Sequence, residues 1–118
     1  MILCADSVEG TYGGTVIFSN LSISLRPGIV TGIIGPNGSG KSTLIRTLSR
    51  VLKPRVGTVL LDGKDIYRMP GNRVARSVAV VPQNGTPAFS YTVMEMVMMG
   101  RAPHLGRLEF EGPGDIEI

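Results

Sequence analysis

Gly35-Pro36-Asn37-Gly38-Ser39-Gly40-Lys41-Ser42, followed by Thr43, fits the pattern G-x-x-x-x-G-K-[ST]. Each residue type answers a problem set by a triphosphate. Several negative charges lie close together, and a loop of inward-pointing backbone N–H groups can cradle them. Gly38 and Gly40 have no Cβ, so the backbone can come close and adopt positive φ. A helix starting near Lys41 would aim its partially positive N-terminus at the same phosphates. Lys41 adds a full charge for the β- and γ-phosphates. The Ser42 hydroxyl is placed to ligate Mg²⁺.

The flanking sequence separates this loop from a chance glycine-rich turn. Ile29 to Ile34 is short, β-branched and nearly continuous in its apolar character, and it reads as a buried strand. After the loop, Leu44, Ile45, Leu48, Val51 and Leu52 recur at helical spacing. That helix is expected to stop before Pro54. Further upstream, Ile2 to Val8 reads as a strand, Gly13-Gly14 as a turn, and Leu21, Ile23 and Leu25 as one face of a half-buried strand. Downstream, Thr58 to Leu61 reads as a short strand closed by the Asp62-Gly63 turn. Asn72 to Ser77 suggests a short helix, and Val78 to Val81 another buried strand. Thr92-Val93-Met94-Glu95 matches a capping box opening a helix that should end at Gly100. Strand, loop, helix and later strand argue an α/β fold with a more β-rich N-terminal half.

Bulk properties narrow the function. The chain has 118 residues, which suits one domain. It is 42% hydrophobic and 18% charged, so a core is available and charge-driven disorder is excluded. Net charge is +3, with nine basic and two acidic residues between Lys41 and Arg76. Five like charges never occur in a row and no aromatics interleave with the arginines, so nucleic acid is not an expected partner. Cys4 is the single cysteine, which forbids an internal disulfide and fits a reducing compartment. The first basic residue is Arg26, so no signal peptide is visible. No apolar run approaches the roughly 18 residues a membrane span needs.

The stretch GPNGSGKST, with LIRTLSRVLKP and GTVLLDGKDI after it, resembles the ATP-binding subunit of ABC transporters. The likeness runs from about Ser7 to the C-terminus. Val80-Val81-Pro82-Gln83 is similar to the strand and glutamine that open the Q-loop. Thr92 to Leu105, TVMEMVMMGRAPHL, resembles the following segment in importers of iron-siderophore complexes, haem or cobalamin. The resemblance implies a P-loop NTPase, an ABC-type ATPase core with an N-terminal antiparallel β subdomain. It implies ATP and Mg²⁺ as cofactors, held by Tyr12, Gly35, Pro36, Asn37, Gly38, Ser39, Gly40, Lys41, Ser42, Thr43 and Gln83. Tyr12 would stack on adenine, although beside glycines it also reads as an ordinary turn tyrosine. Gln83 would touch Mg²⁺ or the attacking water, with Ser42 as the other metal contact. Its plainer reading is a polar residue after a strand.

The implied partners are a transmembrane permease, met through Gln83 to His104, and a second nucleotide-binding subunit. The implied location is cytoplasmic, on the inner face of the membrane. Met94, Met96, Met98 and Met99 lack His or Cys support and read as packing or partner surface rather than a metal box. His104, the single histidine, reads as a surface residue near the permease. Val59-Leu60-Leu61-Asp62 imitates a Walker B strand, but Gly63 stands where the family has its glutamate, so Asp62 reads as a turn residue.

The family's signature LSGGQ, Walker B glutamate and switch histidine do not occur in these 118 residues. The expectation is therefore the N-terminal part of one nucleotide-binding domain, residues 1–118, truncated after the Q-loop region, with no complete catalytic set and no ATP turnover of its own. The alternative is a remnant that binds nucleotide or a partner without hydrolysis. In the family, further strands accompany the two buried ones. Without them, Ile29 to Ile34 and Val78 to Val81 are expected to present unpaired apolar edges.

Overall fold

The computed structural model describes residues 1–83, 85, 89–106, 109–110 and 112–116. It divides into two compact units, Met1–Pro70 and Gly71–Ile118.

The first unit is built on a four-stranded antiparallel sheet. Its strands are β1 (Leu3–Tyr12), β2 (Thr15–Leu25), β3 (Val56–Leu61) and β4 (Lys64–Asp65), in the order β2-β1-β3-β4. Gly13 and Gly14, both at positive φ, close the β1–β2 hairpin, with Tyr12 paired to Thr15. Asp62 and Gly63, at φ 48° and 77°, close β3 onto β4. Asp62 is thus a turn residue, and its Oδ1 accepts a 2.7 Å hydrogen bond from the Ile2 N–H.

One sheet face is buried under a helix. Ala5 and Val8 are both buried although three residues apart, a spacing that puts regular-strand side chains on opposite faces. Ser7, at φ 49°, sits where the register of β1 slips against both neighbours, and this bulge returns Val8 to the core. Val59 and Leu61 join them from β3. Helix α1 (Lys41–Leu48) packs on β1 and buries Thr43, Leu44, Thr47 and Leu48, the i, i+3, i+4 stripe of an amphipathic helix. Thr47 spares its buried hydroxyl by donating to the Thr43 carbonyl at 2.9 Å.

Helix α1 ends six residues before Pro54, earlier than the periodicity predicts. Arg50 adopts φ 65°, and the Val51 and Leu52 N–H groups turn back to the Arg46 carbonyl. Tyr67 secures this end: its hydroxyl lies 2.8 Å from the Thr47 carbonyl and 2.5 Å from that of Leu52. Burial pushes the Tyr67 phenol up from 10.0 to about 12; Arg50 opposes the rise and Asp65 adds to it. A raised pKa favours the protonated native state. Its stabilising contribution is therefore complete below pH 10.0 and is lost as pH rises through about 12. Tyr67→Phe should lower stability by about 1 kcal/mol at neutral pH. It should also remove the latest phase of tyrosinate absorbance in an alkaline titration. Three tyrosines titrating together in the parent would contradict this assignment.

Two expected strands do not form. Ile29 to Ile34 and Val78 to Val81 carry no ladder hydrogen bonds. Val30, Ile34 and Val81 are almost fully exposed. β-Branched composition favours an extended chain, but a strand also needs a neighbour to bond, and none of the described residues supplies one. The expected strand edges are therefore absent, and what the two segments present instead is exposed apolar side chains outside any sheet. A cleft of about 290 Å³ opens between the apolar side chains of Phe18, Leu21, Ile33, Ile34 and Leu44 and the loop residues Gly35, Pro36, Ser39, Gly40 and Lys41. The 118-residue chain should accordingly self-associate at micromolar concentration, and Val30→Lys should reduce this. Light scattering checks it: a parent that stays monomeric and melts in one sharp transition would defeat the expectation.

In the second unit, α2 (Gly71–Ala75) buries Val74, and Arg76 donates to the Pro103 carbonyl at 2.7 Å. Helix α3 (Val93–Met99) has the full capping box: the Glu95 N–H donates to Thr92 Oγ1, and the Thr92 N–H donates to Glu95. The Thr92 N–H and then the Thr92 hydroxyl, both donating to the Glu95 carboxylate, hold it below its usual pKa. Gly100 closes the helix, and a 3₁₀ turn (Ala102–His104) follows. A short helix, α4, spans Pro113–Ile116. Arg101 and Asp115 form a 2.7 Å ion pair.

Candidate phosphate-binding site

The loop from Gly35 to Gly40 turns tightly into α1. The Ser39 N–H donates to the Pro36 carbonyl, and the first helical bond runs from the Leu44 N–H to the Gly40 carbonyl at 2.8 Å. Gly40 is the N-cap at φ 91° and supplies no side chain, so the first-turn N–H groups are left for an outside acceptor. A Cβ on Gly40 would lie 2.7 Å from Ile17 Cγ2, so β2 presses against this turn as closely as glycine permits.

Lys41 folds back over the loop. Its Nζ donates to the carbonyls of Gly35 and Pro36, each at 2.8 Å. Carbonyl oxygens fix the ammonium without neutralising it, and the ion pairs of the described residues do not involve Lys41. An uncompensated cation, free helix N–H groups and glycines at positive φ converge on one spot. These groups fit a polyphosphate. Ser42 is exposed on the first turn, and its hydroxyl fits a phosphate-bound Mg²⁺. Thr43 points the other way, into the core. The cleft beneath the loop shares Gly35, Pro36, Ser39, Gly40 and Lys41 with it, but its apolar wall of Phe18, Leu21 and Leu44 would not solvate a phosphate.

Tyr12 ends β1, is 58% exposed, and sits beside α1: the Arg46 guanidinium carbon lies 5.7 Å from its ring centroid. The structure thus brings Tyr12 and the residues from Gly35 to Thr43 into one unit. Gln83 lies in the other, exposed at the bend after Val81. Residues 84 and 86–88 of the Gln83 to His104 segment lie outside the described residues. Sequence reasoning missed the partnership of Arg46 with Tyr12. Arg46 follows Lys41 by five positions, and nothing in that spacing announces an aromatic from a distant hairpin.

A glycine loop of this pattern, running from a β subdomain into a helix, marks the P-loop NTPase fold class. The family is narrower: residues 18–110 match the ABC transporter family, and the chain belongs to it. The hemin import ATP-binding protein of Pseudomonas entomophila is 43% identical over 100 residues, covering 82% of this chain and 39% of that protein. The iron(3+)-hydroxamate import ATP-binding protein of Bacillus subtilis is 43% identical over 103 residues, covering 85% of this chain and 38% of the relative. This chain thus spans about two fifths of the length of these curated relatives. Among solved structures, a bacterial Atm1-family ABC exporter with ATP bound superposes with a TM-score of 0.74 at 32% identity, covering 85% of this chain and 18% of that one.

Proposed function

We propose that this chain binds Mg·ATP through Tyr12, the loop Gly35 to Thr43 and Gln83, as part of an ABC import ATPase that energises uptake of an iron chelate, haem or cobalamin. The observation that carries the reading is Lys41, fixed over the loop by two carbonyls yet not neutralised, at the uncapped start of α1. Ser42, with Gln83, would contact the metal. Relatives named for hemin and iron(3+)-hydroxamate import support the substrate class. Uptake assays test it: deleting the gene should abolish uptake of one of these cargoes, and the wild-type gene should restore it. Unchanged uptake of ferric hydroxamates, haem and cobalamin in the deletion strain would refute the import role.

The permease would dock on the segment from Gln83 to His104. Helix α3 buries none of its residues, and Met94, Met96, Val97 and Met99 are all exposed. Tyr91, Met94, Met98 and Met99 line a shallow groove there, and methionine adapts readily to a partner. The described residues include no helix long and apolar enough to cross a membrane, so such a partner would supply the spans. A cysteine at Ala102, introduced after Cys4 is replaced, should crosslink to the permease. Crosslinks confined to a cysteine at Thr58 would place the contact elsewhere. A second nucleotide-binding subunit and a location on the inner membrane face follow from the same reading.

A further inference from the structure

We infer that Arg46 is a positioning residue for the nucleotide base, acting through the Tyr12 ring. The inference rests on the reading that Tyr12 stacks on the base. A tyrosine at a strand end, 58% exposed and followed by two glycines, has little of its own to hold its ring. A base that stacks on it must first immobilise it, which costs affinity. Here the Arg46 guanidinium carbon stands 5.7 Å from the ring centroid, within the range of a cation–π contact. The arginine projects from the last turn of α1, the same helix whose first turn carries Lys41. One rigid helix thus sets both the phosphate cradle and the aromatic platform.

Two consequences follow. The cation on one face of Tyr12 leaves the opposite face for a single base, and it draws electron density from the ring toward itself. The distance between platform and cradle is fixed before nucleotide arrives, so less freedom is lost on binding. Arg46 therefore contributes to recognition of the base and not of the phosphates.

The test compares ATP with inorganic tripolyphosphate, which has the same phosphates and no base, by calorimetry on the full-length protein. Arg46→Ala should weaken ATP by about two- to fivefold, the range of an exposed cation–π contact, and leave tripolyphosphate unchanged. Arg46→Lys, which keeps the cation, should recover part of the loss. In a Tyr12→Ala background, Arg46→Ala should have no further effect. Three results would overturn the inference. Equal weakening of both ligands would mean that Arg46 acts only as a charge near the phosphates. Continued weakening of ATP without Tyr12 would mean that Arg46 touches the nucleotide itself. Full ATP affinity in Arg46→Ala, with Tyr12→Ala impaired, would leave Tyr12 self-sufficient. If Tyr12→Ala does not narrow the gap between ATP and tripolyphosphate, the stacking reading itself fails, a result distinct from the others. Unchanged tripolyphosphate binding also shows that each variant retains a folded loop.

Discussion

Replacing Lys41 by alanine should weaken ATP binding by at least about thirtyfold, or roughly 2 kcal/mol. The site offers three kinds of phosphate contact: backbone N–H groups of the loop, the N-terminus of α1, and the Lys41 ammonium. Only the last carries a full charge. Its two 2.8 Å bonds are to carbonyls and not to a carboxylate, so the charge remains for the ligand. Helix-terminus effects alone reach about 0.3–1 kcal/mol when exposed, whereas a charge-assisted bond contributes about 1.5–3 kcal/mol. The ammonium should therefore dominate. Because it also ties Gly35 and Pro36 together, Lys41→Ala could loosen the loop. Lys41→Arg separates the two effects: it keeps the charge but forces a bulkier, planar group over a loop shaped for an ammonium. Calorimetry should find Lys41→Arg intermediate. Equal ATP affinity in Lys41→Ala and the parent would remove Lys41 from the site.

The second large effect is on folding. Gly57→Ala should destabilise the first unit by about 2–5 kcal/mol, a large part of the roughly 5–15 kcal/mol of a typical domain. Gly57 lies in β3 at φ 80°. A Cβ there would stand 2.5 Å from the Asp6 and Ser7 carbonyl oxygens and 2.6 Å from the Ser7 carbonyl carbon. These are backbone atoms of the β1 bulge and cannot rotate away as a side-chain tip could. The left-handed conformation adds about 1–2 kcal/mol for any residue with a Cβ. The bulge that returns Val8 to the core thus depends on a glycine opposite it. Val56→Ala, at the exposed neighbouring position, should cost less than about 1 kcal/mol. Thermal unfolding followed by circular dichroism compares the two. A Gly57→Ala variant that melts with the parent would show that the strands can shift apart without loss.

The amino-acid sequence determined whatever depends on short-range chemistry. The loop Gly35 to Ser42 is legible because phosphate binding needs glycine, lysine and a hydroxyl at fixed offsets within eight residues. The Asp62-Gly63 turn and the Thr92–Glu95 capping box are legible for the same reason: each is complete within four residues. Tertiary structure decided what depends on distant partners. Ile29 to Ile34 and Val78 to Val81 have the composition of strands, but no neighbour among the described residues offers them a ladder, so they form no strand and stay largely exposed. Helix α1 stops at Leu48 although the apolar period continues to Leu52, because Arg50 turns left-handed and Tyr67, twenty residues from Thr47, takes up the Thr47 carbonyl. The pairing of Tyr12 with Arg46 joins residues thirty-four apart across a strand and a helix. Local rules could propose each of these two residues separately. Only the packing of α1 against β1 puts a cation over the ring, because that contact is made by the sheet's burial of Leu44 and Leu48 and not by anything in the neighbouring sequence.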